Sequence, residues 1–158
     1  MEKGMKLPAK LKPAQIGRCG ELLVQYFLLL RGIESAPLTT DSGIDLVAYS
    51  LATGTPRTIQ VKTNLAPKPG GGKGKLALDW WVEHKSPAQL VAIVDLSQQR
   101  VWLLEAMEFS SLAQQKSAKG FHLYFYLDSA NKLSTAGKPI HISLFNQFLL
   151  ENRVGDLF

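Results

Sequence analysis

Two strand-like segments joined by a short turn constrain the fold of this chain more than any other feature of its sequence. The segment "GIDLVAYS" predicts a strand over residues 44–50, and "TIQVKT" predicts the next one. The "LATGTPR" turn between them is too short for a crossover, so the two strands should form an antiparallel hairpin. In the second strand Ile59 and Val61 share one face. Gln60 and Lys62 share the other face, which is either solvent-exposed or part of a functional site.

The remaining segments predict an α/β domain built on one mixed sheet of four or five strands flanked by helices. A helix over residues 14–31, ended by Gly32, should lie on one side of the sheet and the later helices on the other. Residues 66–75, "APKPGGGKGK", have the composition of an irregular loop, and residues 76–84 are either extended or irregular. The other predicted elements are strands over 33–37, 90–96, 100–105 and 121–127, and helices over 105–116 and 143–152, the last with Ser143 as its N-cap.

The length of 158 residues favours a single domain, which we place at residues 14–158. Pro8 and Pro13 disfavour a helix before it, so residues 1–13 are expected to form a basic N-terminal arm. No apolar run reaches the roughly 18–20 residues that a membrane span needs. The one cysteine, Cys19, excludes an internal disulfide and a cysteine-based zinc cluster. We therefore expect a reducing, cytoplasmic setting.

Basic residues are concentrated in two parts of the chain. Residues 1–18 carry five Lys and Arg against one acid, and residues 46–78 contain no acid at all. A basic surface of this kind suits a polyanion, although charge alone favours nucleic acid only slightly. The basic residues of the acid-free stretch are Arg57, Lys62, Lys68, Lys73 and Lys75.

Four polar residues from three predicted elements can meet at one place. Asp45 opens the first hairpin strand and can lie beside Gln60 and Lys62 on the second. Glu21 is the one acid of the otherwise apolar first helix. Oxygen ligands of this kind hold Mg²⁺, which lowers the pKa of a bound water. A neighbouring lysine can orient that water and offset charge in the transition state, so the set indicates metal-assisted phosphodiester hydrolysis.

Three motifs, in this order, resemble the PD-(D/E)xK nuclease superfamily, in particular its restriction-endonuclease-like and Holliday-junction-resolvase-like members. They are "GRCGE" on the first helix, "GIDLVAY" and "IQVKT". The catalytic residues that the resemblance implies are Glu21, Asp45, Gln60 and Lys62. It also implies that Lys62 assists the attacking water. The groups implied to hold Mg²⁺ or Mn²⁺ are Asp45, Gln60, the Val61 carbonyl and Glu21.

The resemblance implies a metal-dependent DNA endonuclease of repair, recombination or restriction. It also implies a homodimer or higher homo-oligomer, because such nucleases pair two sites to cut two strands. Gln60 stands where the superfamily usually has an acid, which removes a negative charge and should weaken metal binding. The alternative is therefore a catalytically weak or inactive nucleic-acid-binding module of the same fold. The residues expected to contact DNA are Arg18, Arg57, Lys68, Lys73 and Lys75.

Several of these residues have structural alternatives. Glu21 could instead pair with Arg18. Asp45 could cap the turn before it, although Asp41 is the better turn residue. Trp80 and Trp81 could stack on bases, but adjacent strand residues face opposite ways, so one of them is expected in the core.

Three further features lie outside the motifs. Cys19 is expected to be a small core residue on the buried face of the first helix. The three histidines lack ligand spacing and are expected to be structural or surface residues. The apolar C-terminal segment "LFNQFLLENRVGDLF" either forms a dimer interface or closes the core of its own chain.

Overall fold

The computed structural model of this protein describes residues 10–40, 42–128 and 130–158. Most of the predicted arm (residues 1–9) and the predicted turn residue Asp41 therefore lie outside the described residues. In chain order the elements are α1 Pro13–Leu29, β1 Ile33–Pro37, β2 Leu46–Ser50, β3 Pro56–Asn64, β4 Lys68–Pro69, a 3-10 turn Gly70–Gly72, β5 Leu76–Val82, β6 Leu90–Asp95, β7 Arg100–Glu105, α2 Ala106–Leu112, β8 Gln115–Ser117, β9 Gly120–Tyr126, a 3-10 helix Ile142–Phe148 and α3 Leu150–Leu157.

A five-stranded mixed sheet with the order β1-β2-β3-β6-β7 forms the centre of the fold. The β2–β3 hairpin is antiparallel, with Leu46 opposite Ile59, which confirms the prediction from the short turn. β3 and β6 run parallel, with Gln60 beside Val91, and the other neighbouring pairs are antiparallel. The predicted α/β fold with a mixed sheet is confirmed.

The prediction of one sheet is wrong, because β4, β5, β9 and β8 form a second, antiparallel sheet. β5 alternates strictly in its second half: Trp80 and Val82 are buried, whereas Asp79 and Trp81 are exposed. This second sheet is needed because all six residues of β6 are buried, so both faces of the first sheet must be covered. An apolar strand shows that it is buried on both sides, but it does not show what covers it.

Two hydrophobic cores lie on the two faces of the first sheet. The first core packs Val24 and Leu28 of α1 against β2, β3 and β6, and it includes Leu150 and Leu157 of α3. The expectation that all later helices lie opposite α1 is therefore wrong for α3. The second core lies between the two sheets and also takes in Phe109 of α2.

The segment predicted to be an irregular loop forms the tip of a hairpin. Lys68 and Pro69 pair with Ala77 and Leu76, and the Gly70 N–H donates to the Lys75 carbonyl at 2.8 Å. Two of the glycines there have φ values of +60° and +82°, a region that residues with a Cβ rarely adopt. The glycine run therefore closes a turn instead of breaking all regular structure.

Three other sequence expectations need correction. The predicted helix over 143–152 is a 3-10 helix followed by α3, and its N-cap is His141, whose Nδ1 accepts a hydrogen bond from the Ser143 N–H. The predicted helix over 105–116 ends at Leu112, before β8. Cys19 is exposed, because α1 buries the face of Gly20, Val24 and Leu28. Among the described residues, no helix is both long and apolar enough to cross a membrane.

Candidate functional site

The polar face of β3 is turned toward the space between the two sheets. Gln60 lies beside Val91 and Lys62 beside Ile93, and both of these β6 residues belong to the core between the sheets. Gln60 is only 8% exposed, and Lys62 is half-buried. A buried amide and a half-buried ammonium on one strand face need polar partners, since a buried polar group without a hydrogen bond costs free energy. This face of β3 is therefore more than a solvated strand surface.

Asp45, immediately before β2, is hydrogen-bonded to the β3 backbone between Gln60 and Lys62. The Val61 N–H donates a hydrogen bond of 2.7 Å to Asp45 Oδ2, and the Asp45 N–H donates to the Ile59 carbonyl at 2.9 Å. The N–H and C=O of one strand residue point to the same edge of the strand, so the Val61 carbonyl lies at the edge of β3 that faces Asp45. The structure thus brings the predicted ligands Asp45, Gln60 and Val61 together around one short stretch of β3.

Ser86, in the loop before β6, holds the Gln60 side chain. Its hydroxyl donates to Gln60 Oε1 at 3.0 Å. An amide oxygen has two lone pairs, so the second can ligate a cation while Ser86 orients the group. The sequence does not predict this role for Ser86, because the residue lies 26 positions from Gln60 and a lone serine in a loop carries no pattern that would single it out.

Glu21 lies on α1 and is paired with Arg18, whose guanidinium donates to Glu21 Oε2 at 2.7 Å. The pairing considered as an alternative in the sequence is therefore present. Within residues 10–40, 42–128 and 130–158, Glu21 makes no hydrogen bond to Asp45, Gln60 or Lys62. The helix itself packs directly on β3, since a Cβ on Gly20 would stand 1.8 Å from Thr63 Oγ1.

Lys62 borders two open grooves. One, of about 590 Å³, is lined by the start of α1, the end of β3 and Lys68. The other, of about 640 Å³, is lined by Trp81, Val82, Glu83 and Lys119. The Lys62 ammonium is therefore placed where an extended polyanion lying in either groove can reach it.

The basic residues predicted to contact DNA do not all gather at this site. Lys68, Lys73 and Lys75 share the β4–β5 hairpin, and Lys75 Nζ lies 5.9 Å from the centre of the Tyr126 ring. Arg57, at the start of β3, lies on the opposite strand face from Lys62 and donates from Nε to the Leu157 carbonyl at 3.1 Å. Of the hairpin lysines, Lys68 lines a groove together with Lys62, whereas Arg57 ties β3 to the last helix.

The oxygen donors at the site define which cation it could hold. Within the described part of the chain, no three His, Cys, Asp or Glu side chains come close enough to form a metal site. The oxygen groups along this stretch of β3 are the Asp45 carboxylate, which accepts from the Val61 N–H, the Gln60 amide oxygen, which accepts from Ser86, and the Val61 carbonyl. All three are hard oxygen ligands, which suit Mg²⁺ or Mn²⁺ and do not suit softer metals. The chemical type of these ligands therefore fits Mg²⁺ or Mn²⁺, but together they carry only one negative charge.

The five-stranded sheet has α1 on one face and a second sheet on the other. Among solved structures the chain is similar to "a bacterial homing endonuclease: I-Ssp6803I", with a TM-score of 0.60 over 93% of this chain and 96% of that chain. The two sequences are 12% identical, so the likeness concerns the fold. No family model matches the sequence, and no curated protein matches it.

Proposed function

We propose that this protein is a metal-dependent DNA endonuclease of the PD-(D/E)xK type. The observation that carries the proposal is the Asp45 carboxylate, bound to the Val61 N–H between Gln60 and Lys62 on the neighbouring strand. The fold shared with a homing endonuclease supports it, since the same arrangement of elements is compatible with cleavage of DNA. The hydrolysed bond would be a phosphodiester.

Asp45, Gln60 and the Val61 carbonyl would hold Mg²⁺ or Mn²⁺, and Glu21 would join through water once Arg18 releases it. When bound, such a cation supplies positive charge beside the phosphate and makes a bound water more acidic. Because Gln60 contributes no charge, we expect weaker cation binding than a site with two carboxylates would show. Ser86 contributes by holding the Gln60 oxygen in a fixed orientation.

Lys62 would act on the reacting groups directly. Its ammonium can donate hydrogen bonds to the attacking water and to a phosphate oxygen, and it offsets the negative charge that develops in the transition state. The hairpin lysines Lys68, Lys73 and Lys75 would bind the DNA backbone without regard to sequence. Lys62 therefore has the catalytic role and the hairpin a binding role.

A second candidate is a DNA-binding module of the same fold with little or no catalysis. Two observations favour it: Gln60 replaces a charged ligand, and Glu21 is engaged by Arg18. On this reading Lys62 binds phosphate, and divalent cations change nothing.

The two candidates are separated by nicking of supercoiled and branched DNA across a range of Mg²⁺ and Mn²⁺ concentrations. For an endonuclease, Asp45→Ala abolishes cleavage by removing the strand carboxylate, and Lys62→Ala abolishes it while metal binding stays nearly intact.

Asp156→Ala and Lys132→Ala remove the same charges from exposed positions and should cleave like the wild type. Wild-type protein without divalent-dependent nicking would establish the binding module. Equal residual activity in every variant would reveal a contaminating nuclease and overturn the catalytic proposal.

A further inference from the structure

The outer face of the second sheet carries a row of aromatic rings. Leu123 and Phe125 of β9 are buried in the core, so the residues alternating with them point outward. The rings of Trp81 and His122 are stacked, with centroids 4.3 Å apart and planes 4° from parallel. The row continues along β9 through Tyr124 and Tyr126, with successive centroid distances of 5.6 and 5.2 Å from His122.

A polar clamp fixes the orientation of the central ring. His122 Nε2 lies 2.8 Å from Asp79 Oδ2, and Nδ1 lies 3.1 Å from Gln115 Oε1. The hydrogen bond from His122 holds the pKa of the Asp79 carboxyl below its usual value. Partial burial raises the pKa of the Tyr124 phenol, and the neighbouring Tyr126 adds to this, so its hydroxyl stays neutral. The clamp presents an ordered row of ring faces and edges instead of independently moving side chains.

Beside this row lies a small cleft with a basic rim. It has a volume of about 240 Å³, which is enough for a planar heterocycle, and the residues that line it include Ala77 and Tyr124. Lys68 stands on its rim, and Lys75 lies over the outer end of the ring row at Tyr126. Asp79, on the same face, is paired with His122, and Lys68 is also close enough to interact with it electrostatically. The surface therefore combines aromatic faces with lysine side chains.

The ring row begins at the groove that Lys62 borders. Trp81 and Lys62 line the same groove, together with Lys119 on its far wall. The Asn64 amide also donates to the Asp79 carbonyl at 2.7 Å, which joins the end of β3 to β5. A strand of nucleic acid leaving Lys62 along this groove would therefore reach Trp81 first.

We propose that this face binds single-stranded DNA by stacking unpaired bases on Trp81 and on the cleft beside Tyr124, with phosphates on Lys68 and Lys119. The inference rests on the proposed function and narrows its substrate to DNA with an unpaired segment beside the scissile bond. Stacking on aromatic side chains is tolerant of sequence, because every base has a π-face. Bases inside an intact duplex are already stacked on one another, so their faces cannot occupy such a surface.

Trp81 can be observed selectively, which makes the test direct. Trp81 is 41% exposed, whereas the other two tryptophans, Trp80 and Trp102, are 3% and 0% exposed. Wild-type protein is titrated in EDTA, where no cleavage occurs, with oligothymidylate and with an abasic oligonucleotide of equal length. We expect oligothymidylate to quench the fluorescence of Trp81 and to bind the more tightly of the two.

Trp81→Ala should lower the affinity for oligothymidylate roughly tenfold, the effect of losing one stacked base, and should reduce its advantage over the abasic strand. Trp81→Phe should keep most of the affinity because it keeps a ring. Tyr26→Ala removes a 57% exposed ring from α1 and should change nothing. Lys68→Ala should lower the slope of log affinity against log salt by about one, whereas Trp81→Ala leaves the slope unchanged.

The outcomes separate this inference from the proposed function. Base-dependent binding in EDTA, with no cleavage when Mg²⁺ or Mn²⁺ is added, would support the stacking surface and contradict the proposed nuclease activity. Divalent-dependent cleavage by a Trp81→Ala protein whose binding of single strands equals that of the wild type would support the nuclease activity and contradict the stacking surface. Equal affinity of wild-type protein for oligothymidylate and the abasic strand would overturn the stacking surface.

Discussion

At the scale of single residues, the character of the site depends on Gln60. Its amide is nearly buried and accepts a hydrogen bond from Ser86, so its oxygen is held in one place. A glutamate there would occupy almost the same volume, and the Ser86 hydroxyl could still donate to it. The difference is one negative charge, which a buried site tolerates only when a cation balances it.

Gln60→Glu should therefore bind Mg²⁺ more tightly than the wild type and cleave at lower Mg²⁺ concentrations. Without metal the same substitution buries an unbalanced charge, so its thermal midpoint should fall in EDTA and recover when Mg²⁺ is added. Calorimetric titration and thermal denaturation measure the two effects. Gln98→Glu, at an exposed turn, is the matched control. A Gln60→Glu midpoint that does not respond to Mg²⁺ would count against a cation at this position.

The pair formed by Asp79 and His122 makes stability depend on pH in a defined direction. The pKa of Asp79 is lowered in the folded protein, chiefly by the hydrogen bond from His122. Such a contact stabilises the fold above the ordinary carboxyl pKa of about 4 and is lost as pH falls through the lower folded value. The stability difference between wild type and Asp79→Asn should therefore shrink between about pH 5 and pH 3. Urea denaturation at several pH values measures it, with exposed Asp156→Asn as the control. A difference that stays constant across this range would contradict the assignment.

At the scale of elements, the close approach of α1 to β3 depends on Gly20. A Cβ on Gly20 would meet Thr63 Oγ1 at 1.8 Å, whereas Gly17 on the same helix has nothing within 4 Å. Gly20→Ala should push the helix from the strand and lower the free energy of unfolding by about 1–3 kcal/mol. Gly17→Ala should instead be neutral or raise it by up to about 1 kcal/mol, because alanine favours helix. Chemical denaturation compares the two, and equal effects would show that the contact is not as close as described.

The β4–β5 hairpin makes a separate prediction about DNA binding. Replacing Lys68, Lys73 and Lys75 by alanine should weaken binding similarly for all sequences, because each lysine would contact phosphate. The slope of log affinity against log salt should fall by up to about three. Filter binding or fluorescence anisotropy at several salt concentrations measures this slope. A slope equal to that of the wild type would exclude the hairpin from the DNA interface.

The hairpin and the faces of β3 could be predicted because they depend on local sequence. A turn of a few residues permits only antiparallel pairing, and alternation assigns Gln60 and Lys62 to one face. The orientation of α1 could not be predicted, because apolar residues surround the helix axis. A buried stripe through Cys19, Tyr26 and Leu30 fits the sequence as well as the observed stripe through Val24 and Leu28. The second sheet was also missed, since β4, β5 and β8 are short or follow glycines.

The arrangement of the site could be predicted only in part. Asp45 was expected beside Gln60 and Lys62, and the structure places it there through the Val61 N–H. The roles of Ser86 and of the clamp around His122 depend on contacts between residues 26 and 43 positions apart. Such contacts follow from how the two sheets pack, which no local pattern records.

At the scale of the whole molecule, the apolar C-terminal segment is used within the chain. Phe145, Leu150 and Leu157 are buried in the two cores, and Phe148 and Phe158 pack against them. This segment therefore gives no support to a dimer. Exposed apolar side chains instead follow one side of α1, namely Leu22, Tyr26, Leu29 and Leu30.

The homodimer implied by the resemblance stays a prediction, and α1 is where it can be tested. If two copies pair through this helix, Leu29→Glu should convert a dimer to a monomer while leaving the fold intact. Light scattering at high micromolar concentration measures the mass of both proteins, and circular dichroism checks the fold. Leu133→Glu, at another exposed leucine, is the control. A wild-type mass equal to one chain would exclude the dimer.

The hydrogen bond from Asn64 to the Asp79 carbonyl joins the strand that carries Lys62 to the sheet that carries the ring row. Because β3 and β5 are joined at this point, the two surfaces lie at a set separation within one fold. If both proposals hold, the distance between the stacking surface and Lys62 sets the position at which the DNA is cut. The bond that is cut would then lie a fixed number of nucleotides from the boundary between paired and unpaired DNA, whatever the sequence on either side of that boundary.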